Sequence, residues 1–256
     1  MQTARQTGWM VVRQARNLMR EPIWIAMMVI QPMIWLVLYG QLFSKVAPLR
    51  SGASSYVEFL TPGIICMNAF FGGSWSGMAM ITDLDRHVID RFLAAPTSRL
   101  AIILSQVVRA GVTAILQAII LLTIGYLLGV RVHGGLLGFL VVFASAFLLA
   151  SVFAGFSHGI ALLLRRESSM IATANFVSLP LMFLSSILIG VALMPGWIHQ
   201  VSRFNPVNWA VQAARNAVVF DGPWGATAIY LLLLLAATAA TSAFATWSFR
   251  AYQRSI

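Results

Sequence analysis

Six long apolar stretches dominate this sequence, and they constrain its fold more than any other feature. They run from Ile23 to Phe43, Leu60 to Ile81, Ile102 to Leu128, Leu136 to Leu164, Met170 to Leu193 and Thr227 to Phe249. The hydrocarbon core of a bilayer is about 30 Å thick and takes about 20 helical residues to cross, so each stretch is long enough. Only 9% of the 256 residues are charged and 59% are hydrophobic, which excludes an ordinary soluble domain. We therefore predict an all-α, polytopic membrane protein with six transmembrane helices, folded as a single domain over residues 1–256.

The distribution of positive charge predicts how the chain is oriented. Of the 17 Lys and Arg residues, twelve precede the first stretch, flank the connection between the second and third, or follow the fourth and sixth. The other five lie in the remaining connections. By the positive-inside rule, we expect both termini in the cytoplasm and the protein in the plasma (inner) membrane. The net charge of +10 then indicates lipid headgroups as partners rather than nucleic acid.

Three segments outside the apolar stretches carry most of the other information. Residues 1–22 predict an amphipathic interface helix, because Val11, Ala15 and Leu18 lie on one helical face. The opposite side carries charges, and the residues that we assign to the interface are Arg13, Arg16, Arg20 and Glu21. Residues 83–101 form a charge-dense cytoplasmic loop, residues 194–226 an aromatic outer segment, and residues 250–256 a cytoplasmic tail.

Motifs for several kinds of chemistry are missing from the sequence. It contains no G-x-x-x-x-G-K-[ST] phosphate-binding loop, since its one lysine, Lys45, has no glycine before it. The four histidines are scattered and Cys66 is the one cysteine, so no metal-ligand motif is present. We predict a chain that is not an enzyme and that holds no metal and no cofactor of its own.

Polar residues inside the apolar stretches are the candidates for a transport path. None of the seven acidic residues falls in the middle of a stretch, which argues against a proton- or sodium-driven carrier, although a site lined by carbonyl groups stays open. Mild polar groups in spans usually bond to neighbouring helices, and the remainder line pathways. Our candidates for the path are Asn68, Phe70, Phe71, Ser74 and Asn175.

Three groups of residues carry a resemblance to a known family. The first is Arg20-Glu21-Pro22, Gln31-Pro32, Tyr39-Gly40 and Leu42-Phe43. The second is the run from Asp83 to Leu93 with Ala95-Pro96 and Ser98-Arg99. The third is Pro195-Gly196-Trp197, Asn205-Pro206-Val207-Asn208-Trp209 and Ala214-Arg215. Together, and in this order, they resemble the membrane subunit of type-2 ABC exporters, particularly the daunorubicin-resistance-like drug and lipid exporters.

The resemblance implies roles for two of the segments outside the membrane. In such exporters a cytoplasmic coupling helix docks on a separate ATPase subunit, and the matching residues here are Asp83, Asp85, Arg86, Asp90, Arg91, Phe92, Leu93, Pro96 and Arg99. Apolar anchors with a charged rim suit such a docking surface. The outer segment is expected to act as a gate, formed by Phe204, Asn205, Pro206 and Trp209.

The expected function is export of a hydrophobic or amphipathic drug or lipid. The resemblance implies two copies of an ATPase subunit, which bind the ATP and Mg, and a second membrane subunit that is identical or related. Hydrophobic cargo and membrane lipids are the other expected partners. Four alternatives remain at this point: export of a polysaccharide or lipid-linked glycan, an ATP-independent secondary carrier or channel, a membrane enzyme, and a structural membrane protein without cargo. No polar catalytic cluster, which the enzyme would require, is visible in the sequence.

Overall fold

The computed structural model describes residues 22–46, 52–86, 99–219 and 223–253. All regular structure in these ranges is helical. The α-helices are α1 (Pro22–Leu42), α2 (Tyr56–Trp75), α3 (Gly77–Asp85), α4 (Arg99–Leu127), α5 (Gly135–Leu164), α6 (Glu167–Phe183), α7 (Gly196–Ser202), α8 (Pro206–Val218) and α9 (Trp224–Gln253). A short 3₁₀ turn, Val191–Leu193, lies between α6 and α7. The predicted all-α class is confirmed.

Within the described ranges, four helical segments are long and apolar enough to cross a membrane. They are Tyr56–Asp85, Leu100–Leu127, Gly135–Leu164 and Trp224–Gln253. They correspond to the second, third, fourth and sixth predicted spans. The first predicted span coincides with the 21-residue helix α1. Its role as a span stays a prediction.

The fifth predicted span differs most from what is observed. We expected one stretch from Met170 to Leu193, but α6 ends at Phe183. The following residues turn irregularly before the 3₁₀ turn. Apolar composition extends past the helix end, and Pro180 and two consecutive serines, Ser185 and Ser186, lie where the helix gives way to bends. Hydropathy alone therefore overestimated the length of this helix.

Helix α5 is the centre of the packing and contacts α2, α4, α8 and α9. Glycines allow the closest of these approaches. A Cβ added at Gly73 would lie 2.5 Å from the carbonyl oxygen of Ala150, and one at Gly155 would lie 2.8 Å from the hydroxyl of Thr241. Small residues spaced four apart thus bring α2 and α9 against α5, as such spacings predict.

Local chemistry explains where two of the helices begin. At the start of α2, the hydroxyl of Ser55 accepts a hydrogen bond from the backbone N–H of Glu58 at 3.2 Å. In return, the carboxylate of Glu58 accepts one from the N–H of Ser54 at 2.8 Å. Helix α8 begins with Pro206 directly after its cap, Asn205. Both arrangements satisfy backbone donors that a helix N-terminus leaves unpaired.

Candidate functional site

A cavity of about 720 Å³ lies between α1, α2, α4 and α6, and we call it the central cavity. Its polar lining residues are Gln31, Asn68, Gln117 and Asn175. Most of its apolar wall is formed by Trp35, Phe71, Trp75, Leu179 and Met182. A mostly apolar cavity with a few polar groups is the usual form of a site for small amphipathic molecules.

Asn68 gives this cavity a specific chemical feature. Its side-chain amide nitrogen is buried and has no hydrogen-bond partner within the described part of the chain. A buried amide without a partner costs free energy, of the order of 1–3 kcal/mol. Asn68 lines the cavity, so a rotation of its side chain would present this donor to a molecule that enters.

A second cavity of about 380 Å³, which we call the Arg109 cavity, adjoins the first. The two share Gly72, Trp75 and Gln117 as lining residues. Arg109 lines the second cavity and donates from its Nε to the side-chain oxygen of Gln106 at 3.1 Å. Trp75 therefore stands between an apolar space with amide groups and a space with a positive charge.

The helical segment beside both cavities is interrupted at Ser76. The hydroxyl of Ser157 on α5 accepts a hydrogen bond from the N–H of Gly77 at 2.9 Å and donates one to the carbonyl of Ser74 at 2.6 Å. A side chain inserted into the helical ladder in this way is a recognised cause of a kink. Helices α2 and α3 therefore meet at Ser76, and the Ser157 hydroxyl fixes this junction to α5.

The four predicted gate residues lie close together at the start of α8. Asn205 is buried, and its amide nitrogen donates to the carbonyls of Leu181 at 2.7 Å and Leu184 at 3.0 Å. Its side-chain oxygen caps the N–H of Val207 at 2.9 Å. Asn205 thus ties the start of α8 to the end of α6.

The other three predicted gate residues lie close to Asn205 in the sequence. The indole N–H of Trp209 donates to the carbonyl of Arg203 at 2.6 Å. Phe204 is 82% exposed, and Pro206 is the first residue of the helix.

Further along α8 lies a largely buried group of polar residues, which we name the outer polar network after the predicted outer segment: Ser186, Asn208, Gln212 and Arg215. The side-chain oxygen of Asn208 accepts hydrogen bonds from the hydroxyl and the N–H of Ser186, at 2.6 and 3.2 Å. The amide of Gln212 donates to the same hydroxyl at 3.0 Å. Together these bonds hold the irregular segment after α6 against α8.

Arg215 completes the network and is only 2% exposed. Its guanidinium donates to the carbonyls of Phe59, Ser186 and Ile187 at 3.3, 2.8 and 3.3 Å. It also lies 3.7 Å from the centroid of the Phe59 ring, a cation–π contact. Burial lowers the pKa of Arg215 to about 9, so the side chain remains charged at neutral pH.

Among the residues predicted for a path, the structure brings three together. Asn68, Phe71 and Asn175 line the central cavity. Phe70 is fully buried and packs edge-to-face on Phe153, with ring centroids 4.5 Å apart. Ser74 lines a separate small cleft beside α5. These two side chains belong to the packing around the central cavity and not to its lining.

Most residues predicted for coupling and for the interface helix lie outside the described residues. These are Arg13, Arg16, Arg20, Glu21, Asp90, Arg91, Phe92, Leu93 and Pro96. Asp83, Asp85 and Arg86 lie at the end of α3, and Arg99 begins α4. The coupling surface stays a prediction.

Sequence reasoning missed three residues of the site. Arg109 was counted only as a charge flanking a loop, yet it lies ten residues inside α4. Arg215 was counted as an outer surface charge, yet it is buried. Gln117 was not among the candidates for the path. The spacing of Gln106, Arg109, Thr113 and Gln117 along one helical face is the signal that could have found two of them.

The long apolar helices, with an amide-lined cavity between them, are those of a helical membrane protein. The chain belongs to the ABC-2 type transporter family, whose model matches residues 5–219. Members of this family are transmembrane subunits of ABC transporters, including drug exporters, and they work with ABC ATPase partners.

Several known proteins are similar to this chain. The ycf38 protein of Cyanophora paradoxa, described as a transport permease, is 32% identical over 80% of this chain and 71% of its own length. The daunorubicin resistance ABC transporter permease protein DrrB1 of Streptomyces coeruleorubidus is 25% identical over 91% of this chain and 80% of its own length. A Mycobacterium tuberculosis protein described as a doxorubicin resistance ABC transporter permease, DrrC, is 22% identical over 84% of this chain and 76% of its own length. The family resemblance expected from the sequence is confirmed.

Proposed function

We propose that this chain is the transmembrane subunit of an ATP-driven exporter that moves a hydrophobic or amphipathic compound out across the membrane. The observation that carries this proposal is the central cavity. Its aromatic and aliphatic walls suit an apolar body, and its unpaired Asn68 amide suits a polar group on the same molecule. The drug-resistance permeases among the relatives support export as the direction.

The energy source in this proposal is a separate ATPase subunit. ATP and Mg bind to two copies of that subunit, because this chain has no phosphate-binding loop of its own. The subunit docks on the loop that follows Asp85 and on the interface helix. ATP binding stabilises one membrane conformation over another, since a partner that binds both equally shifts neither.

A second membrane subunit, identical or related, completes the path. Gln31 and Asn175 support this step, because both are exposed although they line the central cavity. Amide groups facing lipid are unfavourable, so a protein surface or cargo is expected to cover them. Six spans, cytoplasmic termini and the gate around Asn205 belong to the same proposal.

The experiment that tests the ATPase partnership is co-purification from lipid. The chain is expressed with its candidate ATPase subunit, and complex formation and ATP hydrolysis are measured for wild type and for the double variant Arg91→Glu, Phe92→Ala. We expect the variant to insert normally but to lose the complex or the coupled ATPase activity, because a charge and an apolar anchor of the docking surface are gone.

A matched control separates docking from general damage. The double variant Arg131→Glu, Tyr126→Ala makes the same kinds of change at two exposed residues of the predicted outer side, and it should keep the complex intact. If the Arg91→Glu, Phe92→Ala variant binds the ATPase subunit and hydrolyses ATP like the wild type, the coupling surface lies elsewhere on the chain. If no ATPase subunit associates with the wild-type chain, an ATP-independent carrier replaces the exporter as the best function.

A further inference from the structure

A stripe of polar side chains follows one face of α4. Gln106, Arg109, Thr113 and Gln117 are spaced by three, four and four residues, so they lie one above another on the helix. The last three line the Arg109 cavity. Gln117 also lines the central cavity, so the stripe leads from one cavity into the other.

Arg109 lies deep in this stripe. It is ten residues beyond Arg99, the first residue of α4, and at 1.5 Å per residue it lies about 15 Å along the helix. An arginine at such depth in a span is costly, and it is usually paired or directed to a water-filled space with a function. Here its Nε is held by Gln106, and its side chain lines a cavity of about 380 Å³.

Arg109 is also the one charged group among the described lining residues of the two cavities. The carboxylate of Asp83 attracts it electrostatically, but Asp83 does not line either cavity. The shared wall is formed by Gly72, Trp75 and Gln117, which carry no charge. Within the described lining, the charge that faces the joined space is therefore a cation.

We propose that the compound carried by this chain is an amphipathic anion whose phosphate or carboxylate group binds Arg109. This inference rests on the proposed function of the cavities and names the class of cargo. The planar guanidinium forms paired hydrogen bonds to the two oxygens of such a group, which lysine cannot reproduce with the same geometry. The apolar part of the molecule extends past Trp75 into the central cavity, where Phe71 and Met182 form part of the wall.

The proposal makes a distinction that hydrophobicity alone does not. A cationic amphiphile with the same apolar body would bring two positive charges together in a space of low dielectric, where repulsion is strong. The chain should therefore select against cationic compounds. An anionic lipid of the membrane and a free anionic metabolite both have the required chemistry, so the test includes probes with and without an apolar tail.

The experiment measures binding to the 256-residue chain in dodecyl maltoside, without any ATPase subunit. Thermal unfolding is followed with increasing dodecyl phosphate, dodecyltrimethylammonium or inorganic phosphate, and each variant is compared with its own ligand-free melting temperature. We expect dodecyl phosphate to raise the melting temperature of the wild type, with the other two probes giving little or no rise. The apparent affinity should fall about tenfold in Arg109→Gln and by no more than about threefold in Arg109→Lys, which keeps the charge.

The control variant is Arg131→Gln, which removes the same charge from an exposed position outside both cavities and should bind like the wild type. An unchanged affinity in Arg109→Gln would overturn the proposal. So would an equal shift with dodecyltrimethylammonium, or with inorganic phosphate at the same concentration, since the latter indicates a free-anion site. If Arg109→Gln does not fold, the wild type still tests the proposal. A rise in melting temperature with dodecyl phosphate alone supports it, and equal rises with either of the other two probes overturn it.

The failure of this inference is distinguishable from failure of the proposed function. A chain that selects dodecyl phosphate through Arg109 but associates with no ATPase subunit keeps the anion site and loses the ATP-driven mechanism. A chain that couples to an ATPase but shows no preference for the anion keeps the mechanism and loses the cargo class.

Discussion

The outer polar network and the central cavity both contain asparagine and glutamine side chains between helices, but they satisfy these groups in opposite ways. In the outer network, Asn208 and Arg215 are almost completely buried and bond to named carbonyl and hydroxyl groups. In the cavity, Asn68 has a buried amide nitrogen without a partner in the described chain, and Asn175 is exposed. The first arrangement stabilises a single packing, and the second leaves polar capacity for another molecule.

The largest expected effect comes from removing the cation of the network. Arg215→Met should lower the free energy of unfolding by about 3 kcal/mol or more, because three buried carbonyls lose their donor. Thermal unfolding in detergent measures this loss. The exposed Arg131→Met should change stability by no more than about 0.5 kcal/mol. A small effect at Arg215 would mean that water replaces the guanidinium easily.

The same substitution in both regions sharpens the comparison. Asn208→Leu should cost about 2 kcal/mol, because Ser186 and the carbonyl of Ser202 lose their partners. Asn68→Leu should cost roughly nothing or stabilise the chain, because an unpaired amide is removed. Unfolding of the two variants under identical conditions gives the difference. Equal losses would show that Asn68 is as well satisfied as Asn208.

A smaller effect is expected where the network meets the proposed gate. In Asn205→Ser, the shorter hydroxyl still caps α8 but does not reach the carbonyls of Leu181 and Leu184. Stability should fall by about 1 kcal/mol, with the cap conserved. Passive leak of a fluorescent dye from proteoliposomes should rise as the start of α8 loosens. A variant that loses stability without added leak would make Asn205 a structural tie and nothing more.

The smallest effect on stability is expected in the cavity. Asn175→Ala should change the free energy of unfolding by no more than about 0.5 kcal/mol, because the side chain is exposed. The apparent affinity for cargo, measured by its stimulation of ATP hydrolysis in the assembled transporter, should nevertheless fall about threefold. This is the expected effect of losing one neutral hydrogen bond. Ile171→Ala, on the same helix but away from the cavity, serves as the control. Equal apparent affinities for cargo in Asn175→Ala and Ile171→Ala would show that Asn175 does not contact the cargo.

The sequence predicted the helical class because apolar stretches of sufficient length have few alternatives in a membrane. The four confirmed candidates for spans follow from hydropathy alone. The end of α6 at Phe183 could not be predicted from hydropathy. The apolar segment after it, which is held by Asn208 and Arg215, has the same composition as a continuing helix. Tertiary hydrogen bonds replaced the helical ones there, and no local pattern reports such bonds.

The candidate site was predictable only in part for a related reason. Asn68, Phe71 and Asn175 were selected as polar or aromatic span residues, and they meet in one cavity. Phe70 and Ser74 met the same criteria, but their side chains lie on the side of α2 that packs against α5. Which side of α2 faces the cavity depends on the rotation of α2 relative to its neighbours, and the sequence does not report that rotation. Arg215 was misjudged because the positive-inside count treats every arginine outside a span as a solvated charge, whereas this one is buried.

The hydroxyl of Ser157 that is inserted between Ser74 and Gly77 has a mechanical consequence. Because this junction is bonded to α5, a displacement of α3 would rotate the helix about a fixed point rather than slide it along its axis. The nine residues of α3 give a lever of about 13 Å, so a rotation of about 10° displaces Asp85 by about 2 Å. Ser76, at the fulcrum, lines the Arg109 cavity, so the same rotation reshapes that cavity's wall. A small rotation of α3 would therefore change the volume of the cavity beside Arg109.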